Sequence, residues 1–410
     1  MRIATWHVFL DRYKLLKRMN IGILFYDFGP YHAVRIEALA ATLSTVESKL
    51  FAFEFTKTSY THSWKRAVPE GVEVTTLTQN SVISTVEAFR MAKTFQQALQ
   101  ERNIDVVFLP SYSPLPNLLC LLTAKLINCK TILMNESWHG TEQTGFIGRI
   151  VKHLVVRLFD AALVGGTPQK EYAYAYGQKR SKIFLGYDTV DINYYMRESK
   201  RWREVANKDL PVPNLPTRYF LNLGRFIPKK NIGLLIRAYA QLVQRDHSVS
   251  IALVLVGEGS EEDAIRQIAI DQQLQVRNGL DVVRSENRPE VVFYPFQQVD
   301  KTPVFFTHCE AFILPSFYEE WGLVINEAMA CEAAVIVSEK VGCAQDLIEE
   351  EKNGFRFNPT DVDQLCNLMQ LFVNDSTLSR RLGKYGSTLI RQWGPDRFSE
   401  GALSAIRSVT

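Results

Sequence analysis

Pro315-Ser316-Phe317-Tyr318-Glu319-Glu320-Trp321-Gly322-Leu323-Val324-Ile325-Asn326-Glu327-Ala328-Met329-Ala330 is the stretch around which the rest of the chain falls into order. Ala311-Phe312-Ile313-Leu314, just before it, has the unbroken apolar run of a buried strand end, and the residues beyond Gly322 carry apolar positions at helical spacing. Two carboxylates, Glu319 and Glu327, have seven residues between them, one ahead of the helix and one inside it. A strand, an irregular acidic loop and a helix start in succession are a common seat for a polar ligand in α/β proteins. A solvated loop followed by an amphipathic helix explains the same residues, so this stretch alone leaves both readings open.

The neighbouring sequence repeats the strand–loop–helix unit. Tyr219 to Leu223 reads as a strand, Gly224-Arg225-Phe226-Ile227-Pro228-Lys229-Lys230-Asn231 as its loop, and Ile232 to Val243 as the helix that follows. Ile251 to Val256 is a buried strand closing on Gly257-Glu258-Gly259, and Val291 to Tyr294 and Ala333 to Val337 are further strands. The first half alternates in the same way, with strands at Ile21 to Tyr26, Ile104 to Leu109, Thr131 to Met134 and Ala161 to Val164. Helices are predicted at Val34 to Val46, Leu118 to Ile127 and Gln169 to Tyr176. Such alternation predicts parallel sheets with ligands beyond the carboxyl ends of the strands. Ser199 to Arg218, charged and holding Pro211, Pro213 and Pro216, has the composition of an inter-domain connection. The expected organisation is a basic arm (1–18), a first Rossmann-like domain (19–198), a linker (199–218), a second Rossmann-like domain (219–385) and a C-terminal helical segment (386–410).

At 410 residues, 46% hydrophobic and 22% charged, the chain has ordinary globular composition and enough length for two cores. A formal charge of +3 is too small to argue for nucleic acid as a partner. Six cysteines are scattered without metal-like His/Cys spacing, which predicts buried free thiols in a reducing compartment and no metal site. His308-Cys309 reads as a strand edge. No apolar run approaches the roughly 20 residues of a membrane-spanning helix. Met1 to Leu10 looks like a signal core, but Arg12, Lys14, Lys17 and Arg18 follow in place of small cleavage-site residues. That basic arm is either disordered or a peripheral contact with an anionic membrane. The expected location is cytoplasmic, with the arm as a route to the inner face of the membrane.

Candidate ligand groups lie on the loops. Gly29, between a strand and a helix, would let backbone N–H groups approach an anion, with Arg35 on the first helical turn adding charge. A plain turn fits equally well. His139 follows a strand among polar residues and is either structural or functional. Glu136 and Glu142 beside it read as solvated or capping groups, although Glu136 could meet an acceptor. Arg225 and Lys230 offer a guanidinium fork and a point charge for phosphate oxygens, although most basic βα loops are simply solvated. Asp361 and Asp363 read as helix-start carboxylates.

Taken together, Gly224-Arg225-x-x-Pro228-x-Lys230-Asn231, Val256-Gly257-Glu258-Gly259 and Pro315-Ser316-x-Tyr318-Glu319-x-Trp321-Gly322-Leu323-x-x-x-Glu327-Ala328-Met329-Ala330 resemble the retaining glycosyltransferases of GT-B fold, specifically glycosyltransferase family 4. The resemblance is strongest from about residue 219 to 375. It implies two doubly wound Rossmann-like domains facing across a cleft, with the helix Asp396 to Val409 returning to the first. It further implies that Arg225 and Lys230 hold a donor diphosphate, Glu319 meets hydroxyls of the donor sugar and Glu327 the ribose. Gly224 and the backbone of Gly322, Leu323 and Val324 would face the phosphates, Phe296 and Gln297 the base. Gly29 would line the donor from the first domain, and His139 would contact the donor sugar. Three departures stand out: Glu332 in place of the usual Gly, Asp188-Thr189 in place of Asn-Gly, and a single Gly29 where members have a pair.

The activity implied is transfer of a sugar from a UDP- or GDP-sugar, a co-substrate and not a bound cofactor, to a hydroxyl of a glycan, lipid-linked or small-molecule acceptor, without a metal. A glycosidase would also use two carboxylates. If one helix held both glutamates, eight steps of about 1.5 Å would part them by roughly 12 Å, whereas hydrolases need about 5 to 9.5 Å. A noncatalytic nucleotide-sugar-binding subunit of a polysaccharide assembly system is the remaining alternative, opposed by the full set of Arg225, Lys230, Glu319 and Glu327.

Overall fold

The computed structural model describes residues 18–57, 64–80, 82–206, 209–281 and 289–410. The chain divides into two compact units, one running to Val190 and including Pro395–Thr410, the other Asp191–Gly394.

The first unit is built on β1 (Asn20–Phe25), β2 (Lys49–Glu54), β3 (Glu73–Thr76), β4 (Val106–Pro110), β5 (Lys130–Asn135), β6 (Ala161–Val164) and β7 (Ile183–Leu185). They form a parallel sheet in the order β3-β2-β1-β4-β5-β6-β7. Along β1, Leu24 joins a core with Phe95, Leu121 and Tyr172, while Ile21, Ile23 and Phe25 join another with Ile36, Leu39, Phe398 and Leu403. Alternate side chains of a strand point to opposite faces, so both faces are covered by helices. The helix Pro395–Val409 therefore packs on the first unit's sheet.

In the second unit, β8 (Tyr219–Leu223), β9 (Ala252–Val256), β10 (Gln275–Asn278), β11 (Glu290–Tyr294), β12 (Ala311–Leu314), β13 (Val335–Ser338) and β14 (Gly354–Phe357) lie in the order β10-β11-β9-β8-β12-β13-β14. All pairs are parallel. β9 and β12, which flank β8, are continuous apolar runs, buried end to end, as a sheet covered on both faces requires. Because every strand is parallel, every βα loop emerges at one carboxyl edge. The winding direction reverses between β8 and β12, which makes the space beyond those two strands the natural ligand crevice of this unit. The corresponding reversal in the first unit lies between β1 and β4.

Several sequence expectations change. Ser199 to Arg203 is not linker but the end of a helix, Ile192–Arg203, within the second unit. Asp191 caps it by accepting from the Tyr194 N–H at 2.9 Å, and the Ser199 hydroxyl donates to the Cys331 carbonyl at 3.0 Å. Its charges face outward, which is why composition alone resembles a connection. Residues 209–218 lack regular structure but bury Leu210, Val212 and Leu215. His308 ends the helix Thr302–His308 and Cys309 is buried beyond it, so the pair is not a strand edge. Of the basic arm, Arg12, Lys14 and Lys17 lie outside the described residues, and Arg18 pairs with Glu47 at 2.5 Å on the surface.

Candidate functional site

The loops after β8 and β12 are fastened to each other at the crevice. The Phe317 N–H donates to the Lys229 carbonyl at 2.8 Å, and the Asn231 amide donates to the carbonyls of Pro315 (3.1 Å) and Pro359 (2.8 Å). These bonds hold Lys230 over Glu319. Lys230 Nζ lies 2.6 Å from Glu319 Oε1, Lys229 Nζ lies 3.4 Å from Glu319 Oε2, and the Ser316 hydroxyl donates to Glu319 Oε1 at 2.8 Å. Glu319 is 6% exposed. Burial pushes its carboxyl pKa up, but the two lysines and the Ser316 bond more than offset it, holding the group below its ordinary value and ionised. Burial likewise pulls Lys229 down, and Glu319 and Glu320 outweigh that, so Lys229 sits above its ordinary value.

A neighbouring loop fixes the backbone of the β8 loop. The Phe226 N–H donates to the Glu258 carbonyl and the Glu261 N–H to the Phe226 carbonyl, both at 2.8 Å. A Cβ on Gly257 (φ +154°) would sit 1.9 Å from the Gly224 carbonyl oxygen, so only glycine permits this approach. Lys230 Nζ in turn lies 3.9 Å from where a Gly224 Cβ would be. That is an ordinary van der Waals distance, so the close approach that demands glycine in this loop pair is the one at Gly257.

On the β12 side, Gly322 opens the helix Leu323–Ala330 with φ +97° and ψ 55°. A Cβ there would meet Val341 Cγ1 at 2.8 Å. The left-handed residue turns the chain from the Glu319 loop into the helix, so the half-buried Leu323 and Val324 carry first-turn N–H groups that have no intrahelical acceptor. Trp321 anchors this turn from inside: its indole N–H donates to Asn326 Oδ1 at 3.0 Å and its ring packs against Trp393. Glu327 lies in the next turn, 2% exposed. Arg225 is exposed on the β8 loop, and Phe296 and Gln297 are half-buried on the loop after β11, at the same carboxyl edge.

The structure thus brings together Lys230, Glu319, Gly224 and the start at Gly322 from separate loops, and adds Lys229 and Ser316, which the sequence reading passed over. Lys229 adjoins Lys230 and Ser316 lies three residues before Glu319, the only signal that could have marked them.

In the first unit, Gly29 caps the helix Pro30–Ser44 with extended backbone (φ −96°), and its N–H donates to His32 Nδ1 at 3.2 Å. Arg35 does not add charge at that helix start. It is 1% exposed, 3.7 Å from Asp188, donating to the Thr189 carbonyl at 3.2 Å and lying 4.9 Å over the Tyr187 ring. Asp188, where relatives of the resemblance have Asn, is therefore a buried counter-charge. His139 is exposed in a 3-10 turn after β5, its ring edge-on to Tyr172 at 5.1 Å. Glu142 is not solvated: its side chain, 7% exposed, accepts from Lys152 at 2.9 Å, from the Tyr172 hydroxyl at 3.2 Å and from the Tyr176 hydroxyl. Burial raises its pKa, and the Tyr176 and Lys152 bonds more than reverse that. Asp361 caps the helix Val362–Asn374 and Asp363 pairs with Arg245 at 2.7 Å. Among the described residues no group of His, Cys, Asp and Glu side chains is arranged to hold a metal ion.

Residues 207–388 match the family described as Glycosyl transferases group 1. The matched segment lies within the second unit. Over 400 residues, 94% of this chain and 99% of the other, the chain is 21% identical to an N-acetylgalactosamine-N,N'-diacetylbacillosaminyl-diphospho-undecaprenol 4-alpha-N-acetylgalactosaminyltransferase of Campylobacter jejuni. It is 28% identical over 169 residues to an uncharacterized glycosyltransferase of Bacillus subtilis, where the match covers 41% of this chain and 43% of that one. The sucrose-phosphate synthase of Thermosynechococcus elongatus superposes with TM-score 0.70 at 18% identity, covering 95% of this chain and 98% of that one. Anabaena HepE, solved with UDP and glucose, superposes with TM-score 0.67 at 16% identity, covering 95% and 100%. The two parallel seven-stranded sheets and these neighbours make the fold GT-B. The group 1 match and the transferase relatives support glycosyl transfer as the class of activity.

Proposed function

We propose that the chain is a retaining glycosyltransferase of family 4 that moves a sugar from a UDP- or GDP-sugar to a hydroxyl of a glycan or lipid-linked acceptor, with no metal required. The observation that carries this reading is the Lys230–Glu319 pair beside the Gly322 helix start, at the reversal point of the second sheet. An ammonium has three N–H donors. One directed at Glu319 leaves two for phosphate oxygens, and the first-turn N–H groups of Leu323 and Val324 offer more at the positive end of the helix. Arg225 adds a fork from the same loop. A donor diphosphate brings about two negative charges, and these groups can offset them as the leaving charge grows.

In the reaction, the bond from the anomeric carbon to the diphosphate oxygen breaks and its electron pair stays on the phosphate. The acceptor oxygen bonds to the same face of the sugar, and its proton passes to the departing phosphate oxygen. No side chain is then needed as general base. Glu319, held ionised, accepts from sugar hydroxyls, and Glu327 serves the ribose. The base lies toward Phe296 and Gln297 on the loop after β11. The relatives' substrates support a glycan or undecaprenol-linked acceptor.

The test is incubation with UDP- and GDP-sugars, with and without glycan and lipid-linked acceptors. Nucleoside diphosphate released only with acceptor, and a product of unchanged anomeric configuration by NMR, are the expected results. Release without acceptor at equal rate would indicate a hydrolase, and donor binding without turnover on any acceptor a binding subunit.

A further inference from the structure

The helix Phe146–Val156 buries only Lys152 and Val156. Its apolar residues point the other way. Phe146 is 79% exposed, Ile147 77% and Leu154 61%, and Ile150, Val151 and Leu158 are exposed with them. At about 100° per residue, these six positions fall within an arc of roughly 140°, centred nearly opposite Lys152 and Val156. An amphipathic helix normally turns such an arc toward the core. Here the polar side is the fastened one. Lys152 Nζ reaches Glu142 at 2.9 Å, the Tyr172 hydroxyl at 2.5 Å and Thr144 Oγ1 at 3.1 Å, so the helix is held with its apolar face outward.

The charge along this helix has one sign. From Phe146 to Arg157 there is no acidic residue, and Arg149, His153 and Arg157 follow one border of the apolar arc. The nearest carboxylate on the adjoining turn, Glu142, accepts from Lys152 and the tyrosines and also lies 3.7 Å from Arg149, so one acid faces two cations there and the border keeps a positive balance. A groove of about 630 Å³ runs along that border, between Arg149, His153 and Ile150 of the helix and His139, Glu142 and Tyr176 opposite. The same helical layer of the first unit also exposes Phe89, Leu122 and Leu126. Contiguous exposed apolar surface bordered by cations fits an interface between hydrocarbon and anionic headgroups. Eleven residues span only about 16 Å, so the helix lies in such an interface and does not cross it.

We propose that the helix Phe146–Val156 docks the first unit flat onto an anionic phospholipid surface, with Phe146, Ile147, Ile150 and Leu154 entering the acyl boundary and Arg149 and Arg157 meeting lipid phosphates. This assigns the membrane contact to a helix inside the first unit and not to the basic arm. It is independent of which sugar the second unit handles.

Flotation of the full chain with phosphatidylcholine vesicles, with and without phosphatidylglycerol, tests it. Wild type floats with the phosphatidylglycerol vesicles and at least tenfold less with phosphatidylcholine alone. Ile147→Glu with Leu154→Glu stays in the aqueous fraction while keeping the wild-type circular dichroism and melting midpoint, because both side chains are exposed. Arg12→Gln with Lys14→Gln and Lys17→Gln keeps at least half of the binding. Wild type that binds neither vesicle, or both equally, overturns the proposal. So does a double variant that floats like wild type, or an arm variant that alone abolishes flotation. Sedimentation velocity without vesicles provides the other refutation: a wild-type dimer that the double variant dissolves would make this face a contact with a second copy.

Discussion

Lys230→Ala removes the cation 2.6 Å from Glu319 and leaves Lys229 at 3.4 Å as the carboxylate's closest remaining charge. Two effects follow, and they separate by assay. Stripping one partner from a buried pair costs about 3–5 kcal/mol when the other charge is left alone. Lys229 and the Ser316 hydroxyl remain, so a loss of about 1–2 kcal/mol is expected, visible as a melting midpoint lowered by a few degrees. The second effect is on transfer. An electrostatic donor aimed at a developing anion is worth about 3–4 kcal/mol, hence a fall of roughly a hundred- to a thousandfold in kcat with donor and acceptor saturating. Lys230→Met with Glu319→Gln distinguishes the two, since it leaves neither buried charge orphaned. Its unfolding free energy should return to within about 1 kcal/mol of wild type, while turnover stays as low as in the single variant. The pH profile supplies a further check. The folded-state pKa of Glu319 lies below its unfolded value near 4.3. Its contribution is therefore fully present above about pH 4.3 and is lost as pH falls through the lower folded value. Without Lys230 the folded pKa rises, so part of that contribution is missing at every pH above it. Turnover in Lys230→Ala within fivefold of wild type, or recovery of turnover in the double variant, would refute a phosphate role and leave only a structural pair.

Other outcomes follow from single positions. Gly322→Ala forces a left-handed residue with a Cβ 2.8 Å from Val341 Cγ1, and should cost about 1–3 kcal/mol in urea unfolding and weaken donor-induced thermal shifts; an unchanged urea midpoint would contradict it. Glu332→Gly should be neutral or stabilising by up to about 1 kcal/mol, because Glu332 holds φ +59° and its compensating pair with Arg203 is partly exposed. A loss of more than about 1 kcal/mol would mean the pair outweighs the strain. His308 titrates below its ordinary value because burial disfavours the imidazolium, with Arg203 acting in the same direction. Its stabilisation is complete above the unfolded pKa near 6.5 and declines as pH falls toward the folded value, so melting midpoints of wild type should drop over that window. His308→Gln should flatten the drop, and an identical slope in that variant would remove His308 as its cause.

The second unit was largely legible because its chemistry is local. Most candidate groups sit on loops that follow an apolar strand, and parallel strands put all such loops at one edge, so Lys230 and Glu319 could be assigned to one ligand despite 88 intervening residues, although their direct ion pair was not foreseen. Arg35 shows where this fails. Its place on a first helical turn suggested an anion site, but its counter-charge is Asp188, a partner no periodicity links to it. Glu142 fails for the same reason, since its partners Lys152, Tyr172 and Tyr176 lie on two other helices. The exposed face of Phe146–Val156 was hidden differently: helical spacing of apolar residues shows that a face exists, but not whether it turns inward.

Departures from the family pattern become physical once their backbone is seen. Glu332, where the glycosyltransferase pattern that the chain resembles has Gly, holds the left-handed conformation that glycine adopts freely, and its carbonyl lies so near Gly383 that a Cβ there would come within 1.9 Å. The backbone path is thus preserved while the side chain is reused as a partner for Arg203. The Gly257-Glu258-Gly259 motif carries the complementary lesson. Its glycines let the loop after β9 press backbone to backbone on Gly224–Phe226, and the bond from the Phe226 N–H to the Glu258 carbonyl sets the path of the loop that ends in Lys230. A motif adjoining the proposed phosphate site can therefore be required for its geometry without any of its side chains touching a ligand.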